Sequence, residues 1–196
     1  MKKTIIIIVF SIILFTIFLT ILVAWISTNS RKSLEKANKN LNNLVVVSPD
    51  AGGVERATQF IYDLSKKGVV ADMAVISKQR EKAGVISSMH LIGDVQDANV
   101  VIVDDLCDTG GTLVKAAELL KTHGAQRVTA VITHPVFSKD ALNTIGNSVI
   151  DEIIITDTIP LRGTAPDNMT VISVAPLLAD AIFRIEIGES VSALFK

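Results

Sequence analysis

Cysteine is nearly missing from this chain: Cys107 stands alone among 196 residues. One thiol cannot form an intramolecular disulfide, so nothing points to an oxidising compartment. A charge excess of either sign is missing as well. Nineteen Lys and Arg against 20 Asp and Glu leave a formal −1, which gives no electrostatic footprint for nucleic acid. Histidine is scarce. His90, His123 and His134 lie far apart without metal-ligand spacing and read as ordinary surface or core residues. Internal repeats are absent, and no low-complexity tract follows residue 43.

Hydrophobic residues are plentiful, at 49%, but the figure mixes two regions. Ile5 to Ile26 reads IIIIVFSIILFTIFLTILVAWI, with Ser11, Thr16 and Thr20 its only polar residues and no charge. A bilayer core needs a span of about 20 such residues. The hydroxyls can bond back to their own helix, and Trp25 sits where an interfacial aromatic would. A cleaved signal peptide is the rival, with Lys2 and Lys3 as its basic start. Its apolar region runs only about 7–15 residues, which favours an uncleaved single-pass anchor over 1–27. Arg31, Lys32, Lys36 and Lys39 make the far flank slightly more basic, which places the following domain in the cytoplasm. Residues 28–43, rich in Asn, Ser and Lys, read as a polar linker.

From Leu44 to Lys196 the pattern is that of an α/β domain. Leu44–Ser48, Val69–Ser77, Val100–Asp104, Arg127–Thr133, Ile153–Thr156 and Val171–Val174 are short apolar runs of the buried-strand kind. Between and after them lie helical periodicities over Gly53–Lys67, Gly111–His123 and Leu177–Ile187. The last of these puts Leu178, Ala181, Ile182 and Ile185 on one apolar face. Strands alternating with helices imply a doubly wound parallel sheet, with ligands outside the carboxyl ends of the strands.

The informative stretch is VVIVDDLCDTGGTL, residues 100–113. A buried strand ends in two acids, a tight loop and the start of a helix. Two glycines let the backbone approach an anion and turn its N–H groups toward it. Thr109 and Thr112 add hydroxyl donors, and the helix N-terminus favours negative charge. Asp108, Thr109, Gly110, Gly111 and Thr112 therefore form a phosphate cup. Asp104 and Asp105 beside it suit sugar hydroxyls or a bridging Mg²⁺. No Lys follows the glycines, so this is no P-loop, and the glycine spacing is wrong for a dinucleotide fingerprint. Cys107 has no basic neighbour in sequence and reads as a packing residue.

This stretch resembles the ribose-5-phosphate loop shared by ribose-phosphate pyrophosphokinases and type I phosphoribosyltransferases. Other segments separate the two. VVVSPDAGGVERA, Val45 to Ala57, is similar to the pyrophosphokinase segment near the ATP phosphates and Mg²⁺. ISKQREKAG, Ile76 to Gly84, resembles its flexible catalytic loop. LIGDV, THPVFS, ITDTIP, SVAPLLADAI and GESVSALF carry the likeness to the C-terminus. The resemblance runs over Leu44 to Lys196 and matches only the C-terminal half of that family.

The resemblance implies a fold of the type I phosphoribosyltransferase kind, which the apolar run of 5–26 would place behind one transmembrane helix. It implies a ribose-phosphate diphosphokinase that moves diphosphate from MgATP to ribose 5-phosphate, giving the pyrophosphorylated sugar and AMP for nucleotide biosynthesis. Lys78 and Arg80 would be catalytic, and Arg80, Asp104, Asp105 and Asp108 to Thr112 would hold ribose 5-phosphate. Gly52 and Gly53 would face the ATP phosphates, and Asp50 would ligate Mg²⁺. Gln79, Gly84 and Pro135 depart from the usual residues. The family's other half, with its adenine-binding segment, Mg²⁺-ligating histidine and much of its oligomer contact, has no counterpart here. Two further readings stay open: a non-catalytic regulatory subunit docked on a complete enzyme in a homo- or hetero-oligomer, and a phosphoribosyltransferase.

Overall fold

The computed structural model describes residues 43–82 and 85–195. The chain alternates strand and helix through most of this length. The strands are β1 (Leu44–Ser48), β2 (Ala71–Lys82), β3 (Val85–Ile92), β4 (Asn99–Cys107), β5 (Arg127–Pro135), β6 (Glu152–Thr156) and β7 (Met169–Ile172). The helices are α1 (Val54–Ser65), α2 (Gly111–Thr122), α3 (Ala141–Gly146) and α4 (Ala175–Glu186). A 3-10 turn over Ala51–Gly53 leads into α1, and a second over Val191–Phe195 follows α4.

The seven strands form one sheet in the order β3-β2-β1-β4-β5-β6-β7. β1, which is buried throughout, pairs in parallel with β2 on one side and β4 on the other. Successive side chains of a strand face opposite ways, and both faces here are covered. Val45, Val47, Val100 and Ile102 join Leu113, Ala116, Ala117 and Leu120 of α2 and Ala141 and Ile145 of α3. Leu44, Val46, Val101 and Val103 join Ala57, Phe60 and Leu64 of α1 and Leu177 of α4. The double winding follows from strands that are apolar on both faces. It brings the carboxyl ends of β1 and β4 side by side.

Four expectations are corrected. Among the described residues no helix is long and apolar enough to cross a membrane. The longest described helices have 12 residues, about 18 Å at 1.5 Å per residue, against a hydrocarbon core of about 30 Å. The described residues are therefore an α/β domain without a spanning helix, and they give the single-pass membrane placement no support. The expected anchor at 1–27 and the linker up to residue 42 lie outside the described residues. Second, the sheet is not wholly parallel, because β3 runs antiparallel to β2. Third, much of the supposed flexible loop Ile76–Gly84 belongs to that pairing: β2 extends to Lys82, with register shifts on both sides of Arg80. Gly84 and the side chains of residues 79 and 80 lie outside the described residues. Fourth, the apolar stripe of α4 is largely uncovered. Leu177 is buried, whereas Leu178, Ile182 and Ile185 are exposed.

Candidate functional site

The site is built where β4 leaves the sheet. Val100 to Val103 are buried, and exposure begins at Asp104. The chain then turns through Asp108, Thr109 and Gly110 into α2. Gly110 has φ of +78°, the left-handed region that L side chains disfavour. A Cβ there would lie 3.0 Å from Ile145 Cγ1. The requirement for glycine thus comes from backbone conformation and from close packing on α3, not from a side chain that would fill the cup. Gly111 differs, since a Cβ on it would meet only Thr109 Oγ1 at 4.0 Å. No side chain caps α2, and the first N–H groups of a helix have no partner within it. Two carbonyls anchor the loop from behind: Cys107 O accepts from Phe137 N, and Asp108 O from Ser138 N.

A cavity of about 360 Å³ opens at this turn. It is lined by Asp104, Asp108, Thr109, Gly110 and Thr112 from the β4 side and by Lys78 from β2, over a floor that includes Ile132 and Leu113. Six of the residues singled out by sequence therefore meet around one space. Lys78 Nζ lies 3.3 Å from Asp50 Oδ2, which ties in a seventh. Burial alone would raise Asp50. The Lys78 ammonium and the N–H groups of Gly53 and Gly52 outweigh it and hold the carboxyl below its usual value.

Arg56, in the first turn of α1, was not singled out by sequence. Its Nη1 lies 3.1 Å from Asp104 Oδ1 and its Nη2 2.9 Å from Asp105 Oδ2. Gly53 gives it room, since a Cβ there would lie 2.7 Å from Ser48 Oγ and 3.0 Å from Arg56 Nη1. So Gly53 serves the arginine, and Gly52 is the glycine with the open face. Its Cβ would meet only Asp50 Oδ1, at 3.4 Å. The sequence held one signal for Arg56. Two adjacent acids without a base in their own loop need a counter-charge from a neighbouring strand end, and Arg56 is the first cation after β1.

Burial, helped by a hydrogen bond to Asp105, pushes Asp104 up to about 7 despite the guanidinium beside it. Asp104 thus keeps its proton toward neutral pH. Burial likewise pushes the Cys107 thiol up to about 12, with the Asp104 and Asp108 charges adding to the effect. That thiol is a packing residue, not a nucleophile. His134, at the end of β5, hydrogen-bonds Thr158 Oγ1 through Nδ1 at 3.0 Å. Burial lowers its pKa, against the pull of Asp105.

Asp50 offers hard carboxylate oxygen at a partly open position, which suits a Mg²⁺ that keeps water and substrate phosphate among its ligands. Among the described residues no group of three or more His, Cys, Asp or Glu makes a protein-only metal cage.

Known proteins match this architecture in sequence and in fold. Residues 63–196 match the family model described as phosphoribosyl synthetase-associated domain. The ribose-phosphate pyrophosphokinase of Shewanella oneidensis is 52% identical over 162 residues, 80% of this chain and 49% of that protein. The enzyme of the same name from Haemophilus ducreyi is 50% identical over 159 residues, again 80% and 49%. The crystal structure of phosphoribosylpyrophosphate synthetase from Mycobacterium smegmatis aligns with a TM-score of 0.63 and 35% identity, covering 74% of this chain and 46% of that one. The chain spans about half the length of the curated relatives it matches. On the strength of the family match and these relatives, the chain belongs to the phosphoribosyl synthetase-associated domain family, within the ribose-phosphate pyrophosphokinase group.

Proposed function

We propose that this chain is the sugar-phosphate-binding part of a ribose-phosphate diphosphokinase. The observation that supports it most is one cavity shared by Lys78, Asp104 and the Asp108–Thr112 turn. The turn takes the 5-phosphate on helix-start N–H groups and threonine hydroxyls. Asp104 and Asp105 accept hydrogen bonds from ribose hydroxyls. The anomeric oxygen then attacks the β-phosphorus of ATP, the bond from that phosphorus to the α–β bridging oxygen breaks, and AMP departs with it. The anomeric proton passes to solvent or a nearby base.

Catalysis of this kind rests on position and charge neutralisation. Lys78 supplies a cation that can exchange its Asp50 partner for substrate phosphate. Arg80, on the same strand, contributes a second. Asp50 would hold Mg²⁺, which neutralises phosphate charge when bound, and the open face of Gly52 lets the ATP phosphates approach, with Gly53 behind it. One further reading has the chain act within an oligomer beside a complete subunit, as a catalytic or a regulatory member.

The test is AMP release from ribose 5-phosphate and MgATP, by wild type and Lys78→Ala, each with and without a complete homologous subunit. Wild type should be slow alone and faster with the subunit, and Lys78→Ala should lose about 10²–10³-fold in rate, as for one preorganised charge. Equal rates for the two variants under all conditions would leave the regulatory reading.

A further inference from the structure

The acid pair at the end of β4 is held from a helix on the neighbouring side of the sheet. Arg56 reaches across from α1, 48 residues earlier, and spends both terminal nitrogens on two adjacent carboxylates. Its side chain is 14% exposed, and its Nε is buried without a hydrogen-bond partner. Asp104 is fixed a second time, since Oδ1 also accepts from the Asp105 N–H at 3.0 Å. The close approach of Gly53 to the guanidinium reserves the space that Arg56 occupies. Without Arg56 the two adjacent acid side chains would be free to turn apart. A planar fork with two donors sets both their separation and their orientation, which a point cation cannot do.

We infer that Arg56 is the positioning residue that sets Asp104 and Asp105 as a fixed pair of hydroxyl acceptors, and so gives the site its preference for a sugar phosphate with vicinal hydroxyls. This rests on the sugar-phosphate reading above. Arg56 acts through the acids. The 5-phosphate is held elsewhere, at the Asp108–Thr112 turn, so removing Arg56 should erase selectivity at the ring hydroxyls more than affinity for phosphate.

The experiment is calorimetry of ribose 5-phosphate, 2-deoxyribose 5-phosphate and inorganic phosphate against wild type, Arg56→Met and Arg56→Lys, each variant first checked for folding by circular dichroism. Wild type should prefer the ribose compound by about ten- to a hundredfold, the scale of one hydrogen bond to a charged acceptor. In Arg56→Met the ratio of the two sugar phosphates should fall below about threefold. Should that variant not fold, Arg56→Lys carries the test: it keeps the charge but not the fork, and the ratio should drop by more than half. An unchanged ratio in a folded variant, with both sugar phosphates weakened alike, would overturn the inference and leave Arg56 a structural cation. Wild type binding neither sugar phosphate would instead overturn the sugar-phosphate reading itself.

Discussion

The chain contains the pattern Asp-x-Gly-Gly twice, each time between a buried strand and a helix. After β1 it is Asp50–Gly53, and after β4 it is Asp108–Gly111. The two fold differently. In the first, Asp50 Oδ1 accepts from Gly53 N at 3.1 Å, so the acid caps its own 3-10 turn, and Lys78 holds its other oxygen. In the second, Gly110 takes a left-handed conformation, no side chain caps the helix, and the turn faces the cavity. A strand-end acid that caps its own turn uses up donors that an anion could otherwise take. One that does not cap leaves them for a ligand. The same Asp-x-Gly-Gly pattern thus gives a self-capped, charge-paired corner in one place and an uncapped turn open to the cavity in the other.

The largest effect that can test this contrast is at Gly110. A valine there meets a disfavoured backbone region, costing ~1–3 kcal/mol, and crowds Ile145, costing a similar ~1–3 kcal/mol. Urea unfolding of Gly110→Val should show at least the lower of these losses, and sugar-phosphate binding should vanish. Stability equal to wild type would mean the left-handed turn is not needed. Gly53→Ala comes next. Its Cβ displaces Ser48 Oγ or Arg56, and a cost of ~1–3 kcal/mol is expected in the same measurement.

A pH series reads an effect of another kind. The folded Asp104 carboxyl keeps its proton up to about 7, whereas the unfolded one gives it up near 3.8. Between those values the folded chain binds more protons, so this group makes stability fall as pH rises. Asp104→Asn should flatten that slope, as read by midpoints of thermal unfolding from pH 4 to 8. A slope that stays the same would assign the pH response to another group. The smallest effect belongs to Gly111→Ala. It meets open space and ordinary backbone, and should be neutral or stabilising by up to ~1 kcal/mol. A large loss there would show that the two glycines of the turn are not as different as their surroundings indicate.

Much of the centre was legible in the sequence because its signals are local. The run Val100–Val103 is apolar on every residue, the acids and glycines follow at once, and α2 carries Leu113, Ala116, Ala117 and Leu120 in phase. What escaped depends on distant neighbours. β3 was missed because VISSMHLI has two serines in its middle, and its partner is the extension of β2 rather than a second buried face. α3 is only six residues long, too short for a period to show. On α4, periodicity marked the apolar face, but nothing in a helix's own text says whether another element covers it. Ile182 and Ile185, at 68% and 67% exposed, show the difference. Arg56 escaped for a related reason, since its partners come from a strand 48 residues away.

That separation has a bearing on how the domain folds. β1 and β4 are neighbours in the sheet, yet α1, β2 and β3 are made between them. Local segments can form early, whereas the β1–β4 pairing must first close a loop of some fifty residues, which is slow on entropic grounds. The bridge from Arg56 to Asp104 and Asp105 cannot exist before that closure. A chain emerging from the ribosome would carry the DTGGT turn and both acids and still be unable to present them as a pair. On the sugar-phosphate reading, discrimination at the ring hydroxyls would then appear in one step, as a late marker that the middle of the sheet has come together.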